Sequence, residues 1–418
     1  MNFRNHIICD VCNKNLIIKV QGGFVENASV RIGCPECNNI IKGEIYQKAP
    51  DFSMKFENAK YGCDGSLDGE IISISTELPI LKHLTNMGGL GSFSFSPYSA
   101  STIFLSLEKI SLFRDNYLIF KEFRENKISK LESIVELFRV KNWHFVCKEI
   151  EKSFLIDIKG PHPETLEFST YLVNKVLRQF IDKIIPSSYE YSYPIRLLYK
   201  STINKIQNDK ENLSKIDLDI KDYINVEKEF INGLQIAISF IKDIESYLPV
   251  IALSYGKGFE ENFGTDIMIS TFSFDDLKDK FKDAFELLAR TSIIYLAFYN
   301  YNTNGGSNTF SKGSSCQNLT SYYNLKNGSK KDELYKVPGL KSYYRDLLDN
   351  QIRNSIGHNK TEYWAYSQII KYYPYTDLKK KENFKEISLT DFSYKTYLLN
   401  LLVIDFIAFT AKWNFKMT

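Results

Sequence analysis

Two cysteine pairs constrain this chain more tightly than any other feature. Cys9-Asp10-Val11-Cys12 and Cys34-Pro35-Glu36-Cys37 are both C-x2-C, with 21 residues between them. A C-x2-C turn sets two sulfurs on one tight loop. Two such loops can surround a cation with four thiolates at about 2.3 Å. Zn2+ suits that donor set, and a rubredoxin-like iron site uses similar ligands. Four protein ligands leave no open coordination position, so the expected metal is structural and not catalytic. Cys9, Cys12, Cys34 and Cys37 are the expected ligands, with His6 a weaker alternative; Cys63, Cys147 and Cys316 lack the spacing and read as bystanders. Between the pairs, Leu16-Ile17-Ile18-Lys19-Val20, a Gln21-Gly22-Gly23 turn and Ser29-Val30-Arg31-Ile32 read as strands, followed by Ile40 to Tyr46. The segment reads as a small β module folded around a structural metal.

The composition narrows the class. Seven cysteines in 418 residues do not make a secreted disulfide scaffold. An apolar fraction of 44% and a charged fraction of 25% are those of an ordinary globular protein. The 53 Lys+Arg against 50 Asp+Glu leave a net charge of +3, too small for bulk-charge binding of nucleic acid. Met1 to His6 is polar, and no apolar stretch with a cleavage site follows, so a cytoplasmic chain is expected. Thr396 to Trp413 is apolar enough to be weighed as a membrane span, but Asn400 and Asp405 interrupt it. A central Asp costs about 2.5–3.5 kcal/mol on insertion scales, so a buried core helix is the better expectation.

Four blocks are expected along the chain: a segment at 1–48 that resembles a zinc ribbon, a module whose partners range from nucleic acid to protein, a β-rich linker segment at 49–100, a helical middle or sensor region at 101–269, and a helical domain at 270–418. The fold class is therefore mainly α with a small N-terminal β part. Leu172, Val176, Phe180 and Ile184 place one helix over Thr165 to Ile185, and Ile231, Leu234, Ile238 and Ile241 another within Lys215 to Leu248. Ser273 offers an N-cap, with acids behind it, to a helix running to about Tyr301. The polar stretch Asn302 to Lys336 reads as a long loop, Leu340 to Ile352 as a helix, Tyr363 to Tyr373 as a short strand or hairpin, and Leu389 to Trp413 as a long apolar helix.

The sharpest catalytic pattern is Arg353-Asn354-Ser355-Ile356-Gly357-His358 at the end of an amphipathic helix. Five helical steps put Arg353 and His358 about 140° apart, so a straight helix does not present both on one face. Gly357 is placed to bend or end the helix and bring the imidazole round. The bland reading is a histidine capping a helix end. With its flanking helices, from Phe274 and to Trp413, the Arg-Asn-x3-His pattern resembles the HEPN superfamily over about the last 145 residues. These are all-α domains, many of them metal-independent endoribonucleases of abortive infection and related anti-phage systems. The resemblance implies a HEPN-like helical bundle, with Arg353, Asn354 and His358 catalytic and two motifs meeting in a homodimer or higher oligomer. It also implies an RNA substrate, tRNA or mRNA, cut to a 2′,3′-cyclic phosphate and a 5′-hydroxyl. A phage-derived or regulatory trigger is the implied partner, and no membrane is.

The chemistry is coherent in its own terms. Imidazole works as general acid or base near neutral pH, and guanidinium forks onto phosphate oxygens. Residues 270–418 hold 21 Lys+Arg and 15 Asp+Glu, a balance of +6, leaving −3 for the rest. Lys326, Lys330, Lys331, Lys336 and Lys379-Lys380-Lys381 interleave with Tyr322, Tyr323, Tyr335 and Tyr375, a mixture able to hold phosphates and stack on bases. The alternative is a non-catalytic zinc-ribbon scaffold, binding nucleic acid or protein, with a degenerate HEPN dimerisation domain. A nucleotide-modifying enzyme has less to stand on: the sequence has no G-x4-G-K-[ST] loop and no H-E-x-x-H.

Overall fold

A computed structural model describes residues 2–48, 51–62, 69–82, 96–103, 105–156, 164–185, 210–255, 266–337, 347–374 and 383–417. Cys63, the glycines from Gly88 to Gly91, Pro161, Pro163, Pro338, Tyr375 and Lys379-Lys380-Lys381 lie outside them. The chain is mainly helical with several small sheets. Its first half runs β1 (Asn2–Cys9), β2 (Asn15–Gln21), β3 (Asn27–Gly33), β4 (Ile40–Lys48), β5 (Asp51–Glu57), β6 (Ala59–Tyr61), β7 (Glu70–Ile74), β8 (Ile80–Leu81), α1 (Pro97–Ser101), α2 (Leu107–Arg139), α3 (Trp143–Phe154), α4 (Leu166–Ile184), α5 (Lys210–Ile220), α6 (Val226–Lys242) and α7 (Ile244–Ser254). The second half adds β9 (Ile267–Met268), α8 (Phe274–Asn304), α9 (Leu319–Tyr323), α10 (Asn327–Leu334), α11 (Asn350–Gly357), β10 (Thr361–Trp364), β11 (Ile369–Tyr372), β12 (Lys385–Ser388) and α12 (Leu389–Met417).

Packing divides the chain into two units, each assembled from three segments. The first comprises Met1–Tyr117, Asp243–Lys280 and Asn354–Tyr397; the second comprises Leu118–Lys242, Phe281–Arg353 and Leu398–Thr418.

The first unit holds the sheets. β2 is buried on both faces from Leu16 to Gln21 and sits inside a four-stranded sheet of order β6-β1-β2-β7. Burial on both faces is what a central strand meets, and here it takes in Lys19 and Gln21 along with the apolar residues. β2 pairs antiparallel with β1, through Ile7↔Leu16, and parallel with β7, through Leu16↔Glu70. β4 alternates instead, burying Ile41, Gly43 and Ile45 while Lys42, Glu44 and Tyr46 are exposed, and it is the middle strand of β3-β4-β5. Ile7, Leu16, Ile18, Val30, Ile32 and Ile41 form one core with Cys9 and Cys34. Residues 361–372 form the expected hairpin, completed to three strands by β12.

The second unit is helical. α4 starts where Thr165 accepts a hydrogen bond from the Phe168 amide at 3.3 Å, and buries Leu172, Val176, Phe180 and Ile184 as the periodicity requires. Tyr295 and Phe298 of α8 meet Phe409 of α12 at ring-centroid distances of 4.9 and 5.0 Å, and Phe298 meets Trp413 at 5.3 Å. Asp405, 6% exposed, is paired with Arg178 of α4 at 3.2 Å. Leu389–Trp413 is long and apolar enough to cross a membrane by length and composition, but 83% of its most apolar window is buried inside the protein.

Two expectations change. Residues 302–336 are not one loop but carry α9 and α10. A capping box links Asn318 and Ser321, and Leu319, Tyr322 and Leu334 are buried, so a few anchors order a polar stretch. Most of the helix expected over Leu340 to Ile352 lies outside the described residues, and within them α11 opens at Asn350. The Asp349 carboxylate accepts from the amides of Gln351 and Ile352 at 2.8 and 3.2 Å, which starts α11 and carries it to Gly357.

Candidate functional site

The four expected ligand sulfurs converge in the first unit. Cys9, Cys12, Cys34 and Cys37 lie with all sulfurs within 4.8 Å of one another, an arrangement that could hold a metal ion. Cys9 and Cys37 are 3.7 Å apart, and Cys12 and Cys34 3.5 Å. A tetrahedron of thiolates at about 2.3 Å from its centre has edges of about 3.8 Å, so the donor set fits. Each pair sits on a knuckle built the same way. The amide of Asn13 donates to the Cys9 carbonyl, and that of Asn38 to the Cys34 carbonyl, both at 2.9 Å. Both asparagines are left-handed, with φ of 58° and 60°. Asparagine tolerates that conformation far better than a branched residue does. The repeated signal was Cys-x2-Cys-Asn, one residue longer than the pattern read from the sequence.

The thiols differ in electrostatics. Burial works against a Cys9 thiolate, but the amides of Cys12 and Val11 and the neighbouring thiols outweigh it and bring the group down to about 7. Burial pushes Cys34 up to about 12 and raises Cys37 as well. Cys9 is thus readier to ionise than Cys34 and Cys37, and a bound cation is what would displace the protons of those two. His6 lies on β1 and is not part of this cluster.

Arg353 and Asn354 lie on α11 and His358 directly follows its end, and the division between the units falls directly after Arg353. In the second unit, the Arg353 guanidinium is half-buried and ion-paired with Glu286 of α8. In the first, Asn354 and His358 are exposed. α11 ends at Gly357, but the left-handed turn that closes it is not made there. His358 is the cap, and the next residue, Asn359, takes the left-handed conformation at φ 51°. The Asn359 amide bonds to the Ile356 carbonyl at 3.1 Å and the Lys360 amide to the Ser355 carbonyl at 2.7 Å, the two bonds of a Schellman motif. Glycine is the usual left-handed terminator, which is why Gly357 drew the expectation; asparagine does the work two residues later.

Two further carboxylates are unusual. Glu77 is 2% exposed, accepts hydrogen bonds from the Thr76 hydroxyl and the Phe24 amide, and is pushed up to about 7 by burial. Its carboxylate occupies the place a side chain at Gly23 would need, 1.0 Å from that Cβ. Glu333, 4% exposed, is opposed by burial but held near 2 by Lys336, Ser314 and Ser315, and so pins the segment before α9. Comparison with protein-family models, curated proteins and solved structures finds no match for the chain.

Proposed function

We propose that the chain is a metal-independent endoribonuclease whose C-terminal helices form a HEPN-type bundle and whose cysteine knuckles form a zinc ribbon. The observation that carries this reading is an exposed imidazole at the cap of the helix that also holds a carboxylate-anchored guanidinium. RNA cleavage without a catalytic metal uses the adjacent 2′-hydroxyl as nucleophile. A proton acceptor and donor must sit beside the scissile phosphate, and a fixed cation must meet the charge that builds there. His358 is exposed as the first role needs. Arg353, held by Glu286, carries five N–H donors in a rigid fork of the kind that suits phosphate oxygens. Asn354, exposed on the same helix, is the residue proposed to orient the phosphate. Two copies of the motif meet in a homodimer, as the resemblance implies. The structural ion is Zn2+. The setting is cytoplasmic anti-phage defence, with a phage-derived or regulatory trigger.

The test is direct. Purified protein incubated with tRNA or mRNA in EDTA is expected to leave 2′,3′-cyclic phosphate ends. His358→Ala should lower cleavage by at least about 10²-fold, the usual contribution of a general acid–base group. A strict Mg2+ requirement, or undiminished cleavage by that variant, overturns the reading. The Glu286 pair favours one alternative: with its charge already met, Arg353 serves the packing of a non-catalytic scaffold. In that case the wild-type protein cuts no RNA, and Arg353→Ala lowers stability alone.

A further inference from the structure

We propose that Asn38 couples the cysteine knuckle to the β10–β11 hairpin, so that loading the knuckle with metal orders the hairpin that follows His358. The Asn38 side chain uses both ends of its amide. Its Nδ2 donates to the Tyr363 carbonyl at 3.3 Å, and its Oδ1 accepts from the Tyr366 amide at 3.0 Å. One side chain thus spans the turn of the hairpin. A second contact is independent of the first. A Cβ on Gly33, the residue before Cys34, would lie 2.1 Å from the Tyr366 nitrogen and 2.2 Å from the Ala365 carbonyl carbon. The hairpin turn therefore rests directly on the backbone that leads into the knuckle. The Tyr366 ring packs against the core that includes Cys9 and Cys34, and its hydroxyl bonds to Glu70 of β7.

The other end of the hairpin is tied to the end of α11. The Tyr373 amide donates to the Lys360 carbonyl at 3.1 Å, and the Ser355 hydroxyl donates to the Tyr373 carbonyl at 3.0 Å. His358 lies between Ser355 and Lys360, inside that tie. An unbroken path of hydrogen bonds and strand pairing therefore runs from Cys34 through Asn38 and the hairpin to the cap of α11, all within the first unit. The grip depends on Asn38 holding φ 60°, which the closed knuckle imposes. Binding free energy at a four-thiolate site is spent on local folding, so an empty knuckle holds Asn38 less firmly.

Hydrogen exchange of peptides covering residues 361–373 tests this without RNA. Asn38→Gly keeps the left-handed turn and removes both side-chain hydrogen bonds; Asn13→Gly makes the same change on the other knuckle. With zinc content matched by chromogenic release assay, Asn38→Gly should exchange about tenfold faster in the hairpin, as expected for losing two net-favourable hydrogen bonds. Asn38→Asp, which keeps only the acceptor, should fall between, and Asn13→Gly should match wild type. Chelated wild type should show the same acceleration. Unchanged exchange in Asn38→Gly overturns the proposal, and that variant decides alone if chelation unfolds the whole β-rich part. One last arm rests on the ribonuclease reading: Asn38→Gly should lower kcat with KM and zinc content preserved. If the wild type cuts no RNA, that reading falls while the exchange result still stands.

Discussion

Asn13, Asn38 and Asn359 each hold a left-handed backbone where a turn must close, and each borders a candidate functional residue. The sequence showed the cysteines plainly, because metal ligation fixes residue type and spacing together. It hid the asparagines, because a left-handed φ depends on the following turn and not on local composition. The same limit concealed Glu77: nothing in Ser75-Thr76-Glu77-Leu78 marks a glutamate for complete burial. Its titration has a definite sign. The carboxyl is raised from 4.5 to about 7 in the folded protein, so the stability its neutral form contributes is intact below 4.5 and is lost as pH rises through about 7. That shift corresponds to about 3 kcal/mol at the alkaline end. Glu77→Gln should therefore raise the melting temperature at pH 8 and leave it nearly unchanged at pH 4. Thermal unfolding across pH 4–9 checks this; equal shifts at both ends would contradict it.

At the level of elements, strong helical periodicity was legible and weak anchoring was not. Thr165 to Ile185 was read within a residue of α4, because its apolar side chains repeat in phase over several turns. α9 and α10 were read as loop, since Leu319, Tyr322 and Leu334 are too sparse to make a period. α12 shows what one polar residue does inside an apolar helix. Asp405 is buried and faces Arg178, so the pair is costly to break and cheap to replace. Arg178→Met should destabilise by about 3 kcal/mol because it leaves Asp405 buried without that cation. Adding Asp405→Leu should recover most of the loss, and urea unfolding of the two single variants and the double variant measures the coupling. A double variant no more stable than Arg178→Met would mean that the pair is not what holds α4 and α12 together.

Across the whole molecule, reading the sequence in order placed the helical and β-rich regions along the chain, while packing regroups them. Residues from 270 onward contribute to both units, and each unit also draws on segments far upstream. Local pattern cannot show this, because which face covers which is settled by contacts between distant segments. A fragment of residues 270–418 contains α8 and α12 but lacks Leu118–Lys242, and with it α4 and α6, whose Phe180, Phe230 and Leu234 are fully buried. Expressed alone, it should show exposed apolar surface and no cooperative unfolding, whereas the full chain unfolds cooperatively; a cooperative, dye-negative fragment would show that the bundle is self-sufficient. The interleaving also sets an order of assembly during synthesis. Phe409 and Trp413, which close the aromatic core of the second unit, leave the ribosome after every other described segment of that unit. A chain interrupted before α12 is an incomplete fold, exposed to proteolysis. On the ribonuclease proposal, a nascent copy still short of this helix lacks the finished second unit that holds Arg353.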